Sequence, residues 1–268
     1  MAIGLMVACF GIVGIGIIEK RRTTAAANLR SSAVAFLDVG PSDCNYRTIR
    51  ALMESPNMSS VLKQTIPILS SVSHKGSSGR IAILGGSEKY TGAPYYAAMS
   101  ALRTGVDLAT VYCAAEASIP IKTYSPELMV DSVYIAARMR DAFNTSHAKT
   151  EVNNMVSQAT AMMDSLHAIV IGNGLGRDPT VMQASAEIIK AAARMGLNIV
   201  VDADALYLLS LPEYRDVVTV LAGQSSGSVV LTPNVVEYRR LVDGLAGGSD
   251  ARLKDVLPGV VVVKKGAV

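Results

Sequence analysis

From His74 onward, short apolar runs rich in β-branched residues alternate with longer segments whose apolar positions recur at helical spacing. The runs Ile81–Leu84, Leu108–Tyr112, Ala168–Ile171, Ile199–Val201, Val229–Leu231 and Val260–Val263 predict strands. Between them, Ala93–Arg103, Glu151–Ser165, Thr180–Met195, Glu213–Leu221 and Val235–Val242 predict helices. This alternation implies βαβ units, and hence an α/β fold: a doubly wound, mostly parallel sheet with helices on both faces.

The pattern upstream is different. Met1 to Ile18 is apolar and uncharged, and Glu19-Lys20-Arg21-Arg22 follows. That length reads as a hydrophobic anchor or targeting segment over residues 1–22, with a positive flank that favours keeping the following domain in the cytosol. A mis-assigned start is the alternative. Residues 23–60 carry scattered Ser, Asn and Pro without a sustained period and read as a linker, with one short helix at Tyr46–Met53. A second helix over Met58–Ile66 breaks at Pro67, and the main domain occupies residues 61–268.

Composition narrows the functional classes. With 268 residues, half of them hydrophobic and none Trp, the chain holds one large domain with a substantial core plus an appendage. A net charge of +3 without a basic tract argues against nucleic acid as a partner. Cys9, Cys44 and Cys113 are odd in number and far apart, which indicates neither a disulfide framework nor a zinc site.

Chemistry concentrates where strands end. The first run halts at Gly85-Gly86-Ser87, and a strand that feeds a helix through glycines can offer unpaired N–H groups to an anion. The third ends in Gly172-Asn173-Gly174-Leu175-Gly176-Arg177-Asp178, the fourth in Asp202-Ala203-Asp204, the fifth in Thr232-Pro233-Asn234 and the sixth in Lys264-Lys265-Gly266. Carboxyl ends of parallel strands share one edge, so these five form one polar cleft.

Each motif also has a bland reading. The Gly172-x-Gly174-x-Gly176 spacing is neither a dinucleotide fingerprint nor a phosphate-binding loop of the Gly-Lys-Ser/Thr type. It is either a glycine turn before an Asp178-Pro179 helix start or a close backbone approach to a phosphate or ring. Asp202 and Asp204 flank one alanine. They either serve Mg2+ or a hydroxyl from one side of an extended strand end, or one of them caps a helix at Ala205. Thr232-Pro233-Asn234 before Glu237 is a helix start. Lys265 is a phosphate clamp or a surface lysine. His74 is a catalytic base or a lone loop histidine, and His147 and His167, without companions at ligand spacing, read as structural.

Several stretches, in order, carry a resemblance: H-K-G-x-x-G-R-I (His74 to Ile81), G-G-S-x-x-Y-T-G-A-P-Y (Gly85 to Tyr95), I-K-x-Y-S-P-E-L (Ile121 to Leu128) and G-x-G-L-G-R-D (Gly172 to Asp178). D-A-D (Asp202 to Asp204), L-T-P-N-x-x-E (Leu231 to Glu237) and K-G (Lys265, Gly266) follow. Together they resemble the ATP-dependent (S)-NAD(P)H-hydrate dehydratase family of ribokinase-like proteins, over roughly Pro67 to Val268. The Y-T-G-A-P-Y and Y-S-P-E-L stretches are the specific part, while D-A-D and T-P-N-x-x-E are shared more widely among ribokinase-like proteins.

The resemblance implies a repair reaction, in which hydrated NADH or NADPH is returned to NADH or NADPH with ATP as co-substrate and Mg2+ as cofactor. It implies that Gly174 and the run Asn234, Val235, Val236, Glu237, Tyr238, Arg239 and Arg240 contact the hydrated dinucleotide. It further implies that Lys265, Gly266, Ala267 and Val268 begin the ATP site, and that Gly85 to Tyr95 shapes the substrate side or a lid. Asn173 and Ala205 depart mildly from the family pattern, which has Pro and Gly there. Family members continue into a G-Q-G-D loop that carries the catalytic aspartate. This chain stops at Val268 before such a motif, so it is expected to be incomplete at its C-terminus, with Asp204 the candidate substitute base. A ribokinase-like small-molecule kinase and a non-catalytic dinucleotide-binding protein are the alternatives. The expected location is cytoplasmic or mitochondrial, with membrane association through residues 1–19.

A fluorescent protein fused to residues 1–25 is expected to be retained on membranes; diffuse cytosolic signal would reject the anchor.

Overall fold

The computed structural model describes residues 74–224 and 226–265. The expected anchor, linker and two short helices before Pro67 lie outside the described residues, as do Gly266, Ala267 and Val268.

The described strands are β1 (Arg80–Leu84), β2 (Leu108–Ala114), β3 (Met129–Tyr134), β4 (Ala168–Ile171), β5 (Asn198–Val201), β6 (Val229–Leu231) and β7 (Val261–Val262). All pair in parallel, in the order β3-β2-β1-β4-β5-β6-β7. The helices are α1 (Gly92–Arg103), α2 (Ala115–Tyr124), α3 (Ala136–Ala142), α4 (Ala148–Thr160), α5 (Pro179–Arg194), α6 (Ala203–Ser210), α7 (Arg215–Ala222), α8 (Val235–Ala246) and α9 (Asp250–Val256). Chain order runs outward from β1 through β2 to β3, returns to β4 on the other side of β1, and then runs out to β7. The sheet is therefore doubly wound, with its switch point between β1 and β4. Among the described residues no helix is long and apolar enough to cross a membrane.

All six strands expected from the apolar runs form. The seventh, β3, is interrupted by Asp131 and Ser132, which breaks the continuous apolar run of a strand buried on both faces. It sits at the sheet edge with β2 as its one neighbour, and there exposed polar positions cost little.

Helices α2, α3, α6 and α9 go beyond the sequence expectation. Pro120 lies inside α2 and removes a backbone donor there, which disguised that helix as a loop. No side chain caps the start of α3 locally; Glu116 of α2 does so from a distance, accepting the Ala136 N–H at Oε1, 3.0 Å away. By contrast, α5 opens as its sequence announces. Asp178 accepts from the N–H groups of Thr180 at 2.9 Å and Val181 at 3.1 Å, with Pro179 in the first turn. The expected Glu151–Ser165 helix is α4 followed by a separate 3-10 turn, Met163–Ser165.

Ile81, Ile83 and Leu84 of β1 and Ile169 and Ile171 of β4 are fully enclosed, and Ile188 and Ile189 of α5 join them. Burial of such side chains contributes roughly 1.5–3 kcal/mol apiece and fixes the two central strands. At the amino edge, His167 Nδ1 accepts the Arg80 N–H at 3.0 Å, a bracing role far from the carboxyl edge.

The carboxyl ends of β1, β4 and β5 approach one another through backbone. A Cβ on Gly172, whose φ is +116°, would lie 1.9 Å from the carbonyl oxygen of Asp202 and 2.7 Å from the Ala205 nitrogen. Gly172→Ala is therefore expected to lower the free energy of unfolding by about 3 kcal/mol, combining backbone strain with steric overlap. Gly259→Ala, at φ +74° with nothing within 4 Å, is expected to cost only about 1 kcal/mol. Urea denaturation of both variants measures the contrast, and equal losses would contradict the close approach.

Candidate functional site

The loops after β1 and β4 flank the switch point and meet there. The Gly86 N–H donates to the Asn173 carbonyl at 3.1 Å, and a Cβ on Gly85 would lie 2.2 Å from that same oxygen. The N–H of Gly85 goes to the Tyr112 carbonyl at 2.9 Å and that of Ser87 to the Tyr90 carbonyl at 3.1 Å. This corrects the expectation of an anion-binding turn at Gly85-Gly86: all three amides are consumed within the protein. The glycines are there for close packing of backbones.

Between these loops lies a cleft of about 720 Å3. Ser87, Glu88, Lys89 and Tyr90 line it from the β1 loop, and Gly174 to Asp178 from the β4 loop. Tyr134, Ala136 and Arg140 line it from β3 and α3, and Ala203 and Asp204 from the end of β5. Glu88 and Arg140 form an exposed ion pair of 3.1 Å between the β1 loop and α3. The Tyr134 hydroxyl donates to the Gly86 carbonyl at 3.2 Å. Burial raises the Tyr134 pKa, and Cys113, Glu116 and Asp178 raise it further, so the phenol stays neutral and serves to pin the turn. Burial likewise pushes the Cys113 thiol up to about 12, against an opposing pull from Lys122, so the thiol is inert as a nucleophile.

Both aspartates of the D-A-D stretch clamp the glycine loop. Asp202 Oδ2 accepts from Asn173 Nδ2 at 3.0 Å, and Asp202 Oδ1 accepts from Lys265 Nζ at 2.6 Å. Asp204 Oδ2 accepts the Gly176 N–H at 2.9 Å, and Oδ1 pairs with Arg177 Nε at 3.2 Å. Neither carboxylate caps α6 by side chain, so the capping alternative falls. The two do not project side by side from an extended strand end either, because Ala203 turns into a helix at a φ of +46°. Asp204, the candidate substitute base, is thus engaged by a backbone amide and a guanidinium. Among the described residues no group of three or more His, Cys, Asp or Glu side chains could hold a metal ion.

Farther along the edge, Asn234 and Glu237 complete a capping box at the start of α8. The Asn234 N–H donates to Glu237 Oε2 at 2.8 Å, and the Glu237 N–H to Asn234 Oδ1 at 2.9 Å. Val236 is 64% exposed, whereas Tyr238 is only 5% exposed. Arg177 and Arg240 both stack on the Tyr207 ring, at 4.2 and 5.4 Å from its centroid. The Lys265 N–H donates to the Pro233 carbonyl at 2.7 Å, extending the β6–β7 pairing to the end of the described chain.

The structure therefore sets Gly174 in the cleft, and Asn234 to Arg240 and Lys265 beyond it on the same sheet edge, with Asp202 linking the two regions. Sequence reasoning missed Tyr134 and Arg140 as cleft residues, whereas Ser87 belongs to a strand end expected there. Tyr134 and Arg140 stand on β3 and α3, elements without a strong periodic signal. Ser87 Oγ and Asn173 Oδ1 are buried and find no hydrogen-bond partner. Such groups invite a ligand or ordered water.

The Y-T-G-A-P-Y and Y-S-P-E-L stretches touch each other. Thr91 Oγ1 and the Tyr124 hydroxyl are 2.8 Å apart, and the Tyr95 and Tyr124 rings meet edge to face at 5.2 Å. Stretches thirty residues apart in sequence thus form one flank of the molecule.

A doubly wound parallel sheet with its polar groups collected on the carboxyl edge defines the class of open α/β proteins that receive ligands outside the carboxyl ends of their strands. A ribokinase-like superfamily protein from Enterococcus faecalis has this fold, with a TM-score of 0.53 and 23% identity, covering 75% of this chain and 62% of that one. The sequence pattern of the NAD(P)H-hydrate dehydratase family matches residues 81–267, and this chain belongs to that family. It is 39% identical over 210 residues to the ATP-dependent (S)-NAD(P)H-hydrate dehydratase of Entamoeba histolytica, covering 77% of this chain and 62% of the relative. The enzymes of that name from Neurospora crassa and Homo sapiens are 39% and 36% identical, over 77% and 83% of this chain and 63% and 60% of their own lengths. The chain thus spans about three fifths of the relatives it matches.

Lys265→Ala in the full-length protein is expected to weaken ATP roughly tenfold or more, the loss of a charge-assisted hydrogen bond worth about 1.5–3 kcal/mol. Dinucleotide affinity should fall by less than ATP affinity on the same substitution. Titration calorimetry with each ligand separates the two, and unchanged ATP affinity would reject the assignment of Lys265.

Proposed function

We propose that the protein dehydrates the S form of hydrated NADH or NADPH in an ATP-dependent reaction that yields NADH or NADPH, ADP and phosphate. The observation that carries this reading is the gathering of the glycine loop, the α8 start and Lys265 on one sheet edge, in a chain that belongs to the dehydratase family. Gly174 lies in the cleft beside Ser87 and Tyr90 and offers backbone to the dinucleotide, while α8 from Asn234 to Arg240 flanks it. Lys265, its side chain about a third exposed at 32%, presents its ammonium to the ATP phosphates and starts the nucleotide site with Gly266, Ala267 and Val268.

The chemistry is a transfer followed by an elimination. The ring hydroxyl oxygen forms a bond to the terminal phosphorus of ATP, and ADP leaves. The carbon–oxygen bond then breaks with its electron pair going to phosphate, and loss of a proton from the neighbouring ring carbon restores the double bond. Phosphoryl transfer asks chiefly for positioning and charge neutralisation, which a cradle of fixed loops and a lysine supplies. The described carboxylates at the edge are already taken: Asp202 by Lys265 and Asn173, Asp204 by Gly176 and Arg177, and Glu237 by the α8 start. They do not fit a protein-held magnesium site, so Mg2+ enters with the triphosphate as its counter-ion. The base for the hydroxyl proton is assigned, by resemblance, to the aspartate of the family's G-Q-G-D loop.

The test is ADP release by the full-length protein, together with recovery of the near-ultraviolet absorbance of the reduced nicotinamide. Both are expected to require hydrated NADH or NADPH. ADP release driven by a vitamin or sugar alcohol would instead assign a small-molecule kinase. Dinucleotide binding without ADP release would assign a non-catalytic binding protein.

A further inference from the structure

One carboxylate joins the two halves of the proposed site. Asp202 stands at the end of β5, holding Lys265 Nζ on Oδ1 at 2.6 Å and Asn173 Nδ2 on Oδ2 at 3.0 Å. Lys265 follows β7, two strands away, and Asn173 follows β4 and immediately precedes Gly174 of the cleft. The link is buried: Asp202 is 8% and Asn173 2% exposed. Removing either partner would leave a desolvated polar group short of a hydrogen bond, so the three side chains hold together or rearrange together.

The backbone enforces the same unity. Gly172 abuts the Asp202 carbonyl, with no room for a Cβ between them, and its own carbonyl accepts the Asp204 N–H at 3.3 Å. A shift of Asp202 is therefore a shift of the glycine loop. Lys265 has a side free, because an ammonium carries three donors and a third of its side chain is open. It can keep Asp202 while a second N–H meets a phosphate oxygen.

We propose that Asp202 is a positioning residue that couples the two ligands. Resting on the assignments of Lys265 to ATP and Gly174 to the dinucleotide, the coupling works in both directions. A triphosphate on Lys265 fixes Asp202, and through it Asn173 and the loop that receives the dinucleotide. A dinucleotide on the loop fixes Asp202, and through it the ammonium that receives ATP. Whichever ligand binds first orders the shared network, and the second then binds tighter by the same factor. A brace with no part in coupling would affect stability and leave that factor alone.

The test uses full-length protein, calorimetry, the non-hydrolysable analogue adenylyl imidodiphosphate and NADP+ as the dinucleotide probe. In the wild type, NADP+ is expected to bind about fivefold tighter or more when the analogue is saturating. Asp202→Asn keeps the size of the side chain and loses the charge that holds Lys265. That ratio is then expected to fall to within about twofold of unity, with both ligands still binding. Asn173→Ala is expected to bring the ratio to within about twofold of unity as well. A wild-type ratio of one, or a ratio preserved in Asp202→Asn, overturns the proposal. If Asp202→Asn does not fold, a ratio preserved in Asn173→Ala overturns it instead. Binding needs no turnover: coupling without ADP release keeps this inference and rejects the proposed activity, and a wild type that binds neither ligand overturns both.

Discussion

Backbone lies directly against backbone at the switch point, and the site is arranged around that contact. The Asn173 carbonyl occupies the space a side chain on Gly85 would need, and the Asp202 carbonyl occupies that of Gly172. Only residues without a Cβ let the ends of β1, β4 and β5 close to this distance. Glycine raises the conformational entropy lost on folding, so the contact has to be held by something else. That something is the enclosed aliphatic core of β1 and β4 directly beneath, together with the hydrogen bonds Gly86 N–H to Asn173 and Asp204 N–H to Gly172.

A second consequence concerns where polar groups spend their hydrogen bonds. Asp202, Asp204, Asn234, Glu237 and Tyr134 all stand on or near the carboxyl edge, and each is committed to a loop, a helix start or a turn. What remains available is modest: the open part of Lys265, the hydroxyl of Ser87, the side-chain oxygen of Asn173 and exposed backbone. Such a frame holds its loops and helix starts together largely through its own polar groups.

How much of this was legible in the sequence follows from how each feature is encoded. Strands buried on both faces leave continuous apolar runs, so the sheet and its six central and far strands could be read directly. Helix starts written in local chemistry, Asp178-Pro179 and Asn234 with Glu237, were equally plain. The edge strand β3 and helices α2 and α3 were not, because their stability comes from elsewhere: β3 leans on β2, α2 tolerates Pro120, and α3 is capped by Glu116 from a neighbouring helix. The site shows the same division. That strand ends would gather into one cleft was readable from topology alone, whereas the partners of Asp202 and Asp204 depend on tertiary approach. No spacing along the chain announces that Asp202 will meet Lys265, sixty-three positions away.

The distribution of motifs across the fold carries a last implication. The D-A-D and T-P-N-x-x-E stretches build the frame: they clamp the glycine loop and open α8. The Y-T-G-A-P-Y and Y-S-P-E-L stretches, on which the family resemblance chiefly rests, pack on each other through Thr91, Tyr95 and Tyr124, on the β1–β2 side of the switch point. Tyr90, the first residue of that family stretch, crowds Gly174, where a Cβ would come within 2.8 Å of the tyrosine Cβ. The frame and this flank meet at the glycine loop, which Asp204 holds through the Gly176 N–H and which Tyr90 crowds at Gly174.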